Sequence, residues 1–69
     1  MFNFNYEKAK ELLRSRSIEQ EELAEAVGRH KTTISRIMTG DLEPSLKLAG
    51  KIADYLGVKV DDLITKETA

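Results

Sequence analysis

The chain has 69 residues, enough for one small domain but not two, because a chain of this size buries only about 60% of its unfolded surface. It contains no cysteine, so neither a disulfide nor a thiolate metal site supplements the core, and no apolar run approaches the roughly 20 residues that span a bilayer. A formal net charge of -1 and a pI near 5.8 argue against coating of nucleic acid by bulk charge.

The elements follow from punctuation and periodicity. Asn5 is a good helix N-cap, with Phe4 able to staple onto Ala9, and Tyr6, Ala9, Leu12 and Leu13 recur at helical spacing. They predict a first helix over about 5 to 16. A second, near 20 to 27, buries Leu23, Ala24 and Val27 and stops at Gly28, where a left-handed residue is cheapest. A third runs from about Lys31 to Met38, with Ile34, Ile37 and Met38 inward, and ends at Gly40. Pro44 and Ser45 introduce a fourth, which buries Leu46, Leu48, Ala49, Ile52, Ala53 and Leu56 and ends at Gly57. A short fifth helix is expected near 60 to 65, and residues 66 to 69 are expected to fray. The prediction is one all-α domain over residues 1–69, a compact bundle of five helices. The opening Met1-Phe2-Asn3-Phe4-Asn5 has no secretory-signal pattern, so a cytoplasmic location is expected, without membrane attachment.

The stretch from Gln20 to Ile37, QEELAEAVGRHKTTISRI, places two helices of about eight residues on either side of a very short turn at Gly28. So short a turn forces a steep crossing. That needs a small contact residue on the first helix, a positive φ in the turn, and apolar side chains filling the wedge. Ala24, Gly28, Leu23, Val27, Ile34 and Ile37 meet those demands. The corner projects the second helix outward, where it can enter a major groove about 12 Å wide. Charge is segregated to suit: Arg29 to Arg36 carries three cations and a histidine with no acid, whereas Glu19 to Glu25 carries four acids and no cation.

These residues resemble the Cro and lambda-repressor-like helix-turn-helix family. The matching fragments are QEELAEAVG, TISRI, Gly40, Pro44-Ser45-Leu46 and IADYLGVKVDDL from Ile52 to Leu63, in the family's order and spacing over nearly the whole chain. The resemblance implies a lambda-repressor-like fold with the helix-turn-helix at helices two and three, about residues 20 to 38. It places Lys31, Thr32, Ser35 and Arg36 at base-reading positions of the recognition helix. Gln20, Arg29, His30, Thr33 and Thr39 fall at positions facing the DNA backbone. Lysine and arginine can donate to guanine O6 and N7, and a threonine methyl can pack on thymine.

Departures are informative too. Glu19 stands where the family prefers a threonine cap, so helix two gains only a dipole-compatible acid. Arg29 replaces the usual apolar residue after the glycine, which turns it toward phosphates instead of the core. His30 replaces the usual Ser or Thr cap of the recognition helix, and Lys59 replaces a serine cap before helix five. Leu13 and Met38 stand where many members pair an arginine with a glutamate, a pair that apolar packing can replace without loss.

One such domain touches only a short half-site, so a homodimer on a near-palindromic double-stranded operator is the expected mechanism. Val58, Val60, Leu63 and Ile64 are candidate dimer contacts. The function expected is transcriptional repression by a small Cro-like regulator of phage or prophage type in a bacterial cell. An antitoxin of the same fold and a protein-binding adapter that does not read DNA are the alternatives. With one histidine, no nucleophile motif, no phosphate-cradling glycine loop and no metal-ligand spacing, the sequence implies no enzyme, cofactor, metal or small-molecule ligand.

Overall fold

The computed structural model describes residues 2–66. In chain order these form β1 (Phe2–Phe4), α1 (Tyr6–Ser15), α2 (Gln20–Val27), α3 (Lys31–Thr39), α4 (Leu46–Leu56), a 3₁₀ turn (Val60–Asp62) and β2 (Ile64–Lys66). Four α-helices carry the fold, where the sequence pattern predicts five.

Each helix start is set by a side chain or by its absence. Asn5 Oδ1 accepts from the Lys8 N–H at 3.1 Å, and Ser45 Oγ from the Leu48 N–H at 3.1 Å, so α1 and α4 are conventionally capped. At the start of α2, Glu19 makes no side-chain cap hydrogen bond, as its departure from the family pattern implies. Phe4 and Ala9 are both buried in the core, in keeping with the expected staple.

The predicted fifth helix shrinks to a single turn because its carbonyls are taken elsewhere. The Leu63 carbonyl accepts from the Asn5 N–H at 2.7 Å instead of extending a helical ladder, and the chain then pairs antiparallel with β1, Phe4 opposite Ile64. Val58, Val60, Ile64 and Thr65 are β-branched, which suits extended backbone better than a helix. Lys66, predicted to fray, lies in β2. Residues 67–69 of the expected tail lie outside the described residues. Glu43 reinforces the ladder from the loop before α4, its Oε1 accepting from the Phe4 N–H at 2.8 Å.

Leu23, Ile34, Ile37, Met38, Ile52, Leu56 and Leu63 are the largest fully buried side chains, and each contributes about 1.5–3 kcal/mol by leaving water. Leu13 and Met38 both lie in this core. At the positions where the resemblance implies a charge pair, α1 and α3 therefore meet through apolar packing. Leu46 overturns an expectation: it is 53% exposed, because it is the first residue of α4 and stands beyond the end of the buried stripe, which begins at Leu48. Leu63, a candidate dimer contact, is fully buried and belongs to the core. Val58 and Val60 are partly buried against it, and Ile64 is half-buried in β2. No helix among the described residues is long and apolar enough to cross a membrane.

Candidate nucleic-acid interface

The corner between α2 and α3 is built on Gly28. Its φ of +71° is a left-handed conformation that costs other L-residues about 1–2 kcal/mol. In that conformation the Arg29 N–H reaches back to the Ala24 carbonyl at 2.9 Å and the Gly28 N–H to Glu25 at 3.2 Å. The last carbonyls of α2 are thereby satisfied while the chain reverses. Leu23, Ala24 and Val27 of α2 and Ile34, Ile37 and Met38 of α3 fill the wedge.

Burying that face of α3 turns the other outward. Arg29, His30, Lys31, Thr32, Arg36 and Thr39 are exposed, and Gln20, Thr33 and Ser35 are half-exposed. The helix-turn-helix thus brings all nine sequence-predicted interface residues to the surface on α2, α3 and the turn between them. The positive end of the α3 dipole lies at Lys31, where it favours an approaching anion.

Side-chain hydrogen bonds refine the roles. His30 Nδ1 accepts from the Thr32 N–H at 3.2 Å, so the imidazole replaces the family's Ser or Thr cap on α3. This requires Nδ1 to be unprotonated and leaves Nε2 to face outward as the N–H donor. The Arg29 guanidinium folds onto the Gly28 carbonyl at 3.3 Å through Nη1 and keeps further donors for a phosphate. Thr39 is committed internally. Its one hydroxyl proton is shared between the Arg36 carbonyl at 3.1 Å and Asp41 Oδ2 at 3.3 Å, so donation to a phosphate means leaving an acid that itself repels phosphate.

Two contacts escape a reading of sequence alone because they join residues on different helices. Lys31 Nζ lies 3.5 Å from Glu21 Oε2, linking the head of α3 to the first turn of α2. The Tyr55 hydroxyl on α4 donates to the Glu22 carboxylate. That hydrogen bond, with lesser contributions from partial desolvation and the Glu22 charge, raises the Tyr55 pKa above its ordinary 10.0. Glu21 and Glu22 thus both have partners on neighbouring helices.

Among the described residues no three His, Cys, Asp or Glu side chains gather as a metal site. The arrangement offers hydrogen-bond donors on a protruding helix and a steep turn that presents them.

Comparison with known proteins agrees with this geometry. A family profile described as Helix-turn-helix matches residues 10–63. The chain is 45% identical over 51 residues to the HTH-type transcriptional regulator MJ0272 of Methanocaldococcus jannaschii, itself uncharacterised, covering 74% of this chain and 77% of that one. It is 40% identical over 60 residues to the likewise uncharacterised HTH-type transcriptional regulator YgzD of Bacillus subtilis, covering 87% and 91%. Among solved structures, a Bacteroides fragilis protein whose name proposes DNA binding superposes with a TM-score of 0.80 at 31% identity, over 94% of this chain and all of that one. The transcriptional regulator VanUg superposes with a TM-score of 0.72 at 29% identity, over 99% and 89%.

Proposed function

This chain belongs to the Cro/C1-like helix-turn-helix family of DNA-binding transcriptional regulators, not to a family of enzymes, and on that premise we propose that it is a repressor binding a near-palindromic operator as a homodimer. The observation that carries the reading is the two-sidedness of α3. Ile34, Ile37 and Met38 are buried, while Lys31, Thr32 and Arg36 are exposed at the positions that would meet base edges. Ser35, half-exposed between them, completes the base-reading set.

Arg36 is the residue assigned to guanine, because a guanidinium can donate to O6 and N7 together. Gln20, Arg29, His30 and Thr33 flank the groove and fix register through phosphates, which carry no sequence information themselves. Thr39 joins them only by giving up its bond to Asp41. Repression follows from occlusion: a dimer seated over a promoter excludes polymerase. One domain reads too few base pairs for high specificity, and two half-sites about one helical turn apart supply the rest.

The test is selection of bound duplexes from a random pool, then titration of the winner at several salt concentrations. An enriched near-palindrome whose affinity falls steeply with salt supports the reading. Absence of both enrichment and salt-sensitive binding overturns it.

A further inference from the structure

Two features of α4 have no explanation within one copy of the chain. Leu46 has the highest exposure of the described large apolar side chains, at 53%. Gly50 lies in the helix interior without a positive φ, and a Cβ built on it meets nothing within 4 Å. Glycine there costs helix stability relative to alanine, and nothing inside the fold requires it. Lys47 and Asp54 are exposed beside them, and among the described residues neither joins an ion pair.

At 100° per residue these four positions fall within a sector of about 100° of α4. The buried stripe of Leu48, Ala49, Ile52, Ala53 and Leu56 lies outside that sector and adjoins it at Ala53, about 20° from Leu46. A small residue at the middle of an exposed helix face, with an apolar knob one turn away, permits a second helix to approach closely.

We propose that this face of α4 is the dimer interface, and that its occupant is α4 of a second copy crossing antiparallel at Gly50. The argument for that occupant is charge complementarity. Lys47 lies about one turn before Gly50 and Asp54 about one turn after it. In a twofold antiparallel pair, each lysine therefore meets the aspartate of the other copy, and both ion pairs form together. The two Gly50 backbones then lie opposite each other at the crossing, and Leu46 of each copy covers the apolar stem beside Asp54 of the other. The proposal rests on the reading of the chain as half of a DNA-binding dimer, and it moves the interface from the end of the chain to α4. One helix pair buries less than the roughly 1,600 Å² of a standard interface, so association without DNA is weak.

The test is sedimentation equilibrium of the full chain without DNA, from micromolar to millimolar concentration. The wild-type chain is expected to dimerise reversibly within that range. Lys47→Asp is expected to weaken association about tenfold or more, and Lys47→Asp with Asp54→Lys to restore it, as close interfacial charge pairs do. Gly50→Gln is expected to raise the melting temperature of dilute protein yet weaken association, an opposition that a purely structural role for Gly50 does not produce. Circular dichroism checks that each variant keeps its helices. A chain that stays monomeric at millimolar concentration, or a charge reversal without effect or without rescue, overturns the proposal. Dimerisation that follows these variants in a chain with no affinity for duplex supports the interface and refutes the DNA-binding reading alone.

Discussion

Glu21 holds the Lys31 ammonium at 3.5 Å across the corner between α2 and α3. Both side chains are about two-thirds exposed, so the pair adds little to stability. Its effect falls on recognition, because a carboxylate stands beside a lysine assigned to the groove. Glu21→Gln is expected to tighten duplex binding a few-fold for all sequences and to steepen its salt dependence. In a Lys31→Gln background the gain should shrink. Equal gains in the two backgrounds would mean that Glu21 acts on phosphates directly.

Arg36 carries the sharpest functional prediction. Arg36→Ala should cost about 1–3 kcal/mol of operator affinity and relax preference at a single base pair. Affinities over a panel of single-substitution operators provide the check. A uniform loss across the panel reassigns Arg36 to a phosphate.

Gly28 and Gly40 both have positive φ, at +71° and +86°, but their surroundings differ. An added Cβ meets nothing at Gly28, whereas at Gly40 it lies 2.9 Å from Tyr6 Cε1. Gly28→Ala should therefore cost only the backbone strain of about 1–2 kcal/mol. Gly40→Ala should cost more, because the Tyr6 ring has to move. Urea denaturation of the two variants compares them, and equal losses would show that the ring gives way freely. Gly28→Val adds β-branching to the same strain and should exceed Gly28→Ala.

Tyr55 and Glu22 give an alkaline signature. The pKa of Tyr55 is raised by its hydrogen bond to Glu22, so this contact stabilises the fold fully below the unfolded tyrosine pKa of about 10. The contribution is lost as pH rises through the higher folded value. Phenolate absorbance should show a late-titrating component that disappears in Tyr55→Phe and moves to lower pH in Glu22→Gln. A titration of Tyr55 that does not respond to Glu22→Gln would show that the bond is not formed in solution.

Ser17, between α1 and α2, has a φ of +55°, a conformation in which glycine is at ease and serine is not. Ser17→Gly should stabilise the chain by about 0.5 kcal/mol once the added freedom of the unfolded chain is counted, and Ser17→Val should destabilise it. Thermal melts decide between them and the opposite order.

What sequence could reveal was what repeats along one helix or is marked by a special residue. Gly28, Gly40 and Gly57 end their helices in left-handed conformations, and the spacing of Leu23, Val27, Ile34 and Ile37 marks the faces that form the corner. The turn at Ser17 was hidden because serine does not announce a positive φ. The β1–β2 ladder was hidden for a different reason. Three-residue strands are too short for an alternating pattern, and they pair residues from opposite ends of the described chain. Leu46 was misassigned because an apolar residue at a helix start can fall within the helical period and still stand beyond the end of the core. The partners of Glu21 and Glu22 depend on how the helices pack, which periodicity does not encode, whereas those of Thr39 are local and depend on how the chain turns after α3.

The pairing of Phe4 with Ile64 also sets an order on folding. The contacts of α2 with α3 all lie within residues 20–39 and can form as soon as both helices exist, whereas the ladder closes a loop around everything between its strands, at a larger entropic cost. The corner between α2 and α3 can therefore assemble before β2 joins β1. Phe4 gains its full cover only when Ile64 pairs with it, so closure of the ladder comes late in folding.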